Sequence, residues 1–330
     1  MVASLLCLTR YSGSGHQRMK LIVQPDAGIA PVVTAIRQAR KSVDILIFRL
    51  DRFEIAQALA AAVARGVRVR ALTAHSNRGG TKSLRKLEMR LLEAGVTVSR
   101  TADDLVRYHG KMMIVDNKWL HVYGFNFTGL DIAKSRSFGV ISKNANLVNE
   151  ANKLFTADFD RLQYVAGCER FVVSPDNARE RLGRFIKGAR TQLLIYDPQA
   201  TDDAMLRLVA DRVKARVDVR MIGRLEPKWG GIIMNERFPG KRLHIRAIIR
   251  DGRRAFLGSQ SLRRLELEKR REVGVIVTDE LVVRQMLDVF EQDWALTPSG
   301  KKRRKKEKKA EKAEKAEKTE KKGLKLAKAS

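Results

Sequence analysis

The sequence predicts an α/β protein of two similar halves, each a mixed sheet flanked by helices, related by a pseudo-twofold axis. An internal repeat, an alternation of helix and strand in each copy, and a shared histidine motif predict it. Pro25-Asp26 recurs as Pro175-Asp176, Ala39-Arg40 as Ala189-Arg190, and Val67-x-Val69-Arg70 as Val217-x-Val219-Arg220, all at an offset of 150. Past a first-half insertion the offset becomes 135, so that His109 matches His244, Asp116 matches Asp251, and Gly139-Val140-Ile141 matches Gly274-Val275-Ile276. A repeat of this length means that one supersecondary plan has been used twice.

Each copy reads the same way. In the first, apolar periodicity predicts a helix over about Ile29 to Lys41, a strand Val43 to Phe48, a helix Ile55 to Arg65 stopped by Gly66, and a strand Val67 to Leu72. In the second, helix Ala178 to Ala189 precedes strand Gln192 to Tyr196, and helix Ala204 to Lys214 precedes strand Val217 to Ile222. Strands joined through helices imply a parallel or mixed sheet with helices on its faces. The insertion, His75 to Val106, carries an amphipathic helix on Leu84, Leu87, Leu91 and Leu92, ended by Gly95, and a strand Val96 to Ser99. The expected organisation is a short leader (1–19), a first repeat (20–165), a second repeat (166–297) and a Lys-rich disordered tail (298–330) with some helical tendency.

The chain's 330 residues, 44% of them hydrophobic, suffice for a sizeable core. Its formal charge is +29, of which the fifteen basic and five acidic residues of 301–330 supply +10, so the body is basic as well. Such a surface attracts polyanions: nucleic acid, anionic lipid headgroups or phosphorylated substrates. The tail is expected to tether the protein to an anionic surface. Cys7 and Cys168 are far apart and belong to no Cys/His cluster, which argues against a disulfide framework or a zinc site and for a reducing compartment. The apolar run in Met1 to Leu8 has no basic residues before it and is too short for a signal peptide, so Met19 is an alternative start. No window reaches the roughly 18 apolar residues of a spanning helix. A cytoplasmic monomer, peripheral at a membrane at most, is expected.

The chemistry concentrates in His109-Gly110-Lys111-Met112-Met113-Ile114-Val115-Asp116 and His244-Ile245-Arg246-Ala247-Ile248-Ile249-Arg250-Asp251. Both run through an apolar strand into a turn, for which Asp251-Gly252 is a good two-residue signal and Asp116-Asn117 a weaker one. Residues two apart on a strand share a face, so each imidazole is expected beside its cation, Lys111 or Arg246. The cation holds phosphoryl oxygens while a neutral ring nitrogen attacks phosphorus. With that charge supplied by side chains, no metal and no cofactor is expected. Asp116 and Asp251 are expected to support the turns or orient neighbours rather than act as bases. His16, His75 and His121 lack such surroundings and read as surface or loop residues. Arg263-Arg264 and Lys269-Arg270-Arg271 read as a solvated face, part of which meets the substrate.

The two motifs resemble the phospholipase D superfamily, whose signature is His-x-Lys-x4-Asp followed by Gly-Ser-x-Asn, and the resemblance spans most of residues 20–297. It implies that the repeats face each other around one site. Carried across, the family Asn is Asn126 in the first half and Ser261 in the second; the family Ser is Gly124 and Ser259; a supporting acid is Glu272 where the first half has Ser137; and Arg246 replaces the usual Lys. Arginine keeps the charge but is planar and bulkier. The catalytic set is therefore His109, His244, Lys111 and Arg246, with Asn126, Ser259, Ser261 and Glu272 binding phosphate or supporting. His109 is assigned as nucleophile because its half keeps Lys111 and Asn126. The resemblance implies a lipid phosphodiesterase or phosphatidyltransferase like bacterial phospholipase D and cardiolipin synthase. The basic body supports a nuclease instead, and an inactive binder of anionic lipid or nucleic acid is the third reading.

Overall fold

A computed structural model describes residues 19–76, 82–308 and 310. The first half runs β1 (Lys20–Gln24), α1 (Ala30–Gln38), β2 (Ser42–Ile47), α2 (Phe53–Ala64), β3 (Arg68–Thr73), α3 (Lys82–Glu93), β4 (Thr97–Arg100), β5 (Arg107–Tyr108), β6 (Met112–Val115), β7 (Trp119–Tyr123), α4 (Gly129–Lys134), β8 (Ser135–Ser142) and α5 (Ala145–Asp160). The second runs β9 (Phe171–Ser174), α6 (Ala178–Lys187), β10 (Gln192–Ala200), α7 (Asp203–Lys214), β11 (Asp218–Leu225), β12 (Met234–Glu236), β13 (Arg242–Leu243), β14 (Ala247–Arg250), β15 (Arg254–Gly258), α8 (Arg264–Glu268), β16 (Arg270–Val277) and α9 (Glu280–Ala295).

The sheets have the same order, β1-β8-β7-β6-β2-β3-β4 in one half and β9-β16-β15-β14-β10-β11-β12 in the other. The predicted α/β halves are therefore present, each mixed in direction: β2 and β3 pair parallel, whereas β6, β7 and β8 form antiparallel ladders. All six residues of β2 are buried, as a central strand covered on both faces requires. Outer clusters form where α1 and α2, and likewise α6 and α7, cover one face of each sheet, while a larger cluster shared by both halves joins the other faces through Leu154, Phe155, Met286 and Phe290 of α5 and α9.

Several observed strands were not predicted, β1 and β9 among them. β1 and β9 each pair antiparallel with the last strand of their half, on the Leu21-Ile22-Val23 and Phe171-Val172-Val173 runs that precede the repeated Pro-Asp. That Pro-Asp repeat has a physical reason. Arg136 at the start of β8 reaches Asp26 at 3.5 Å and Asp293 of α9 at 3.1 Å, and its counterpart Arg271 of β16 is paired with Asp176 and lies 3.2 Å from Asp158 of α5. Each triad ties one half's arginine to the other half's long helix. The Arg270-Arg271 pair is consequently buried, at 6% and 8% exposure, and is not the solvated face expected.

Only the first part of the tail is described. Residues 298–308 are helical and 301–308 exposed, in keeping with the helical tendency expected of the tail; residues 309 and 311–330, like the leader residues 1–18 with His16, lie outside the described residues. His121 is not a surface residue: it sits on β7 at 3% exposure, 3.1 Å from the Tyr123 hydroxyl, and burial pushes its pKa down to about 3. The period-two pattern of β7 places it on a covered face.

The β6–β7 and β14–β15 hairpins turn through Asp116-Asn117 and Asp251-Gly252, all four at positive φ. Both aspartates then act on a neighbouring loop. Asp116 accepts the backbone N–H groups of Arg40, Lys41 and Ser42 at 3.0, 2.7 and 3.0 Å, and Asp251 those of Arg190, Thr191 and Gln192 at the same three distances. Burial pushes both carboxyls up, but these N–H groups more than reverse it and hold the pKa values below the usual 3.8. Asp116→Ala and Asp251→Ala are each expected to lower unfolding free energy by roughly 2 kcal/mol, as for other charge-assisted backbone bonds. Because the folded pKa is depressed, the contribution is present above about pH 4 and disappears as the pH falls below it. Urea titrations of the variants at pH 7 and pH 3 check both statements.

Candidate active site

Backbone exchange between the halves builds the site. The two residues before each motif histidine leave their own half: β5 pairs parallel with Arg270-Arg271 of β16, and β13 pairs parallel with Ser135-Arg136 of β8. The His109 and Gly110 N–H groups then both bond to Arg271 O, at 2.7 and 3.0 Å, while the His244 N–H bonds to Arg136 O at 3.0 Å. Gly110 has no room for a side chain, since a Cβ would stand 2.8 Å from Val273 Cγ2. Residues 109–111 and 244–246 thus bridge from a borrowed strand to their own and are not regular strand, contrary to the expectation from spacing alone. His109 and Lys111 nevertheless meet.

His109 is 7% exposed, and its Nδ1 lies 2.9 and 3.0 Å from the oxygens of Glu272, which is fully buried and comes from the other half. Lys111 Nζ lies 2.8 Å from His109 Nε2, and Phe48 packs edge-on against the imidazole at 4.6 Å between centroids. Burial, and then the charges of Lys111 and Arg246, push the His109 pKa well below 6.5, so the ring is neutral. The ring proton then belongs on Nδ1, facing Glu272, and the Nε2 lone pair faces the Lys111 ammonium, which also stands 3.0 Å from Nδ1. Burial pushes Lys111 down to about 7 against the pull of Glu272, and pushes Glu272 up against Lys111 and Arg246. A phosphodiester anion arriving here reverses the penalty on Lys111.

The second histidine has different neighbours. Ser137, the counterpart of Glu272, donates through Oγ to the His244 backbone carbonyl at 2.9 Å rather than touching the ring. His244 Nε2 has no hydrogen-bond partner and stands 3.4 Å from Asp131 Oδ2. Asp131 also accepts from Asn126 N and Nδ2, at 2.8 and 2.7 Å, and pairs with Arg242. Burial and Arg246 lower the His244 pKa, and Asp131 opposes them. Arg246 donates from Nε to Ser261 Oγ at 3.0 Å and lies 3.5 Å from Glu266, whose Oε2 accepts the Ser261 N–H at 2.7 Å.

Of the expected site residues, His109, Lys111, Asn126, His244, Arg246, Ser259, Ser261 and Glu272 converge, with Ser259 Oγ bonded to the backbone of Val273, next to Glu272. Asp116 and Asp251 do not: they end the strands that lead away from the histidines. Asp131 and Glu266 were missed, although the offset of 135 pairs them, each five residues beyond the Asn126 or Ser261 position. Buried polar atoms here that lack hydrogen-bond partners include His244 Nε2, Arg246 Nη1, Asn126 Oδ1 and Arg270 Nε. Unpaired groups of this kind mark a place prepared for a ligand. A cleft of about 490 Å³ opens beside His244, lined by Arg224, Arg237, Lys241, Arg242, Arg246 and Arg263 against the single carboxylate of Glu266. A larger cavity, about 780 Å³, lies elsewhere and contains neither histidine. Among the described residues no three His, Cys, Asp or Glu side chains are grouped to hold a metal ion, and no helix is long and apolar enough to cross a membrane.

The family described as "Cardiolipin synthase, PLD-like domain" matches residues 32–161 and 182–294, taking in both motifs. No curated protein matches the chain. Among solved structures, the chain is similar in fold to a polyphosphate kinase from Porphyromonas gingivalis, with 19% identity, TM-score 0.69, and coverage of 83% of this chain and 50% of that one. It therefore spans about half the length of the kinase. It is also similar to a phosphatidylserine synthase from Haemophilus influenzae Rd KW20, with 11% identity, TM-score 0.63, and coverage of 83% and 85%.

Both site histidines have depressed pKa values, so the unfolded chain takes up protons first as the pH falls below 6.5. Their contribution to stability is complete above that pH and is lost progressively on acidification. His109→Gln/His244→Gln is expected to flatten stability between pH 6.5 and 5 relative to the parent chain, as measured by thermal melts across that window. Nitrogen-detected NMR of the parent should show both rings still neutral at pH 6.

Proposed function

Since the chain belongs to the cardiolipin synthase, PLD-like domain family, we propose that it is a metal-independent phosphodiesterase or phosphatidyltransferase acting on phospholipid through a phosphohistidine on His109. The observation that carries this reading is the Glu272 contact to His109 Nδ1. A carboxylate there orients the ring, keeps the proton off Nε2 and stabilises the positive charge that develops when Nε2 becomes bonded to phosphorus. The carboxylate nearest His244 is instead Asp131, 3.4 Å from Nε2, which suits that nitrogen to holding and passing a proton rather than to attack.

In this mechanism Lys111, Arg246 and Asn126 hold the phosphoryl oxygens. His109 Nε2 attacks phosphorus, the bond to the leaving oxygen breaks, and protonated His244 donates to that oxygen. The anionic substrate and Asp131 both favour the protonated His244 that this step needs. Neutral His244 then removes a proton from water or an alcohol, whose oxygen attacks phosphorus and releases His109. Phospholipid is the leading substrate, in keeping with the family's description. The six cations along the cleft favour a second reading, a nuclease, because they suit a longer polyanion.

A panel of phosphatidylglycerol and phosphatidylcholine vesicles, single-stranded DNA and RNA, incubated in EDTA with products identified by mass spectrometry, distinguishes the readings. Lipid turnover is expected, and nucleic-acid cleavage alone would establish the nuclease. His109→Ala should abolish turnover and the acid-labile phosphoenzyme. His244→Ala should slow turnover by about 10²–10⁴-fold, the usual range for a general acid–base group. A phosphoenzyme trapped on a peptide containing His244 would reverse the assignment, and activity restored only by a divalent ion would contradict the metal-independent mechanism.

A further inference from the structure

The two halves carry the same groove with opposite linings. In the first half, α1, the beginning of β1 and the β6–β7 turn enclose about 520 Å³ lined mainly by apolar groups, among them Pro31, Ala35, Val115 and Trp119. In the second half, α6, the approach to β9 and the β14–β15 turn enclose the cavity of about 780 Å³. The repeat offsets align Pro31 with Arg181, Thr34 with Arg184, Val115 with Arg250 and Trp119 with Arg254, while Lys20 corresponds to Arg170. The fold itself therefore does not require arginine at these four places.

Five arginines consequently meet two carboxylates in the second groove, and both carboxylates are occupied. Glu169 pairs with Arg181 at 2.8 Å, and Glu150 accepts the Tyr164 hydroxyl at 2.7 Å and the Gly167 N–H at 2.8 Å. Arg250 donates only to the Phe185 carbonyl, at 3.2 Å, with its guanidinium 4.8 Å from the centre of the Phe185 ring; a Cβ on Gly188 would collide with it. The Arg254 side chain has no hydrogen bond or ion pair among the described residues, and the Arg184 side chain pairs only with exposed Glu180 on its own helix. Burial, and then the like charge of Arg254, lower the Arg250 pKa, the direction that a bound anion relieves. Guanidinium groups in such numbers match the several oxygens of phosphate better than a single carboxylate.

We propose that this groove is a second anion site, separate from the histidine site, that binds a phosphate group carrying two or more negative charges, either as a free pyrophosphate-type anion or as the phosphomonoester headgroup of a lipid. It lies at the turn end of the β14–β15 hairpin, whereas Arg246 and Ser259 flank the other end, about 13 Å along the strands at the usual rise per residue.

The test uses the full chain and two probes: inorganic pyrophosphate by calorimetry, and phosphatidylcholine vesicles containing phosphatidic acid by co-sedimentation. Arg250→Val/Arg254→Trp restores the first-half lining, and Arg184→Thr is a milder variant on an exposed helix face should the double variant fold poorly. Lys111→Met/Arg246→Met removes the cations of the histidine site. The groove variants should weaken probe binding about tenfold or more, by loss of charge-assisted contacts, while the Lys111/Arg246 variant retains a groove-bound fraction. Loss confined to pyrophosphate identifies a soluble ligand, and loss of vesicle capture identifies a lipid headgroup. Binding that disappears with Lys111 and Arg246 but survives both groove variants would overturn the proposal, as would a full chain that binds neither probe.

Discussion

The structure depends on a few backbone hydrogen bonds that cross between the halves. β5 and β13 are only two residues long, and each completes the other half's sheet at the end of β16 or β8. A buried backbone segment must place its N–H and C=O groups somewhere, and here the partners lie across the pseudo-twofold axis. The histidine that follows each borrowed strand is thereby delivered to the boundary between halves. The paired Arg-Asp triads, Arg136 with Asp26 and Asp293 and Arg271 with Asp176 and Asp158, sit on the residues next to these crossings. Breaking the buried contacts to Asp293 or Asp158 leaves an uncompensated charge, so these pairs constrain the register of the halves more than they add net stability.

Within that symmetric frame the chemistry is asymmetric. The first half presents Lys111, Asn126 and Asp131, and the second presents Arg246, Ser261 and Glu266 at the same places. Arginine reaches back to the shorter Ser261 hydroxyl and the longer Glu266 carboxylate, so the exchanges compensate one another in length. The supporting acids diverge further. Ser259 and Glu272 occur together behind His109, and Gly124 and Ser137 together behind His244, where a Cβ on Gly124 would come within 3.2 Å of Ser137 Oγ and 3.0 Å of Phe138 O. The two imidazoles consequently meet their carboxylates through different nitrogens, His109 through Nδ1 with Glu272 and His244 through Nε2 with Asp131, a physical basis for giving them different roles.

The site is also costly to assemble. Lys111 and Glu272 are fully buried, and Arg246 and Arg270 nearly so, with Arg270 3.1 Å from Glu266 and 3.7 Å from Glu272. Desolvation opposes each charge, and their mutual attraction offsets only part of it. The residual imbalance appears as a Lys111 pKa near 7, two imidazoles with depressed pKa values and unpaired atoms on Arg246, His244 and Asn126. An anion here satisfies the open Arg246 Nη1 donor and a protonated His244 Nε2, whereas Asn126 Oδ1 is an acceptor that a donor on the substrate would meet.

The duplicated α/β plan and its two histidine motifs were legible from the sequence alone, because period-two and helical patterns and a repeat offset are local properties. So were the turns at Asp116 and Asp251, whose positive-φ preference is intrinsic to the residue types. Other features were decided by tertiary structure. The surroundings of His121, the burial of Arg270 and Arg271, and the ion triads behind the repeated Pro-Asp depend on which half packs against which. The strand exchange was invisible because two-residue segments carry no periodicity. Asp131 and Glu266 were hidden for a related reason: only the closure of the halves places Asp131 beside His244, and a carboxylate five residues past a motif has no meaning until its neighbour from the other half arrives.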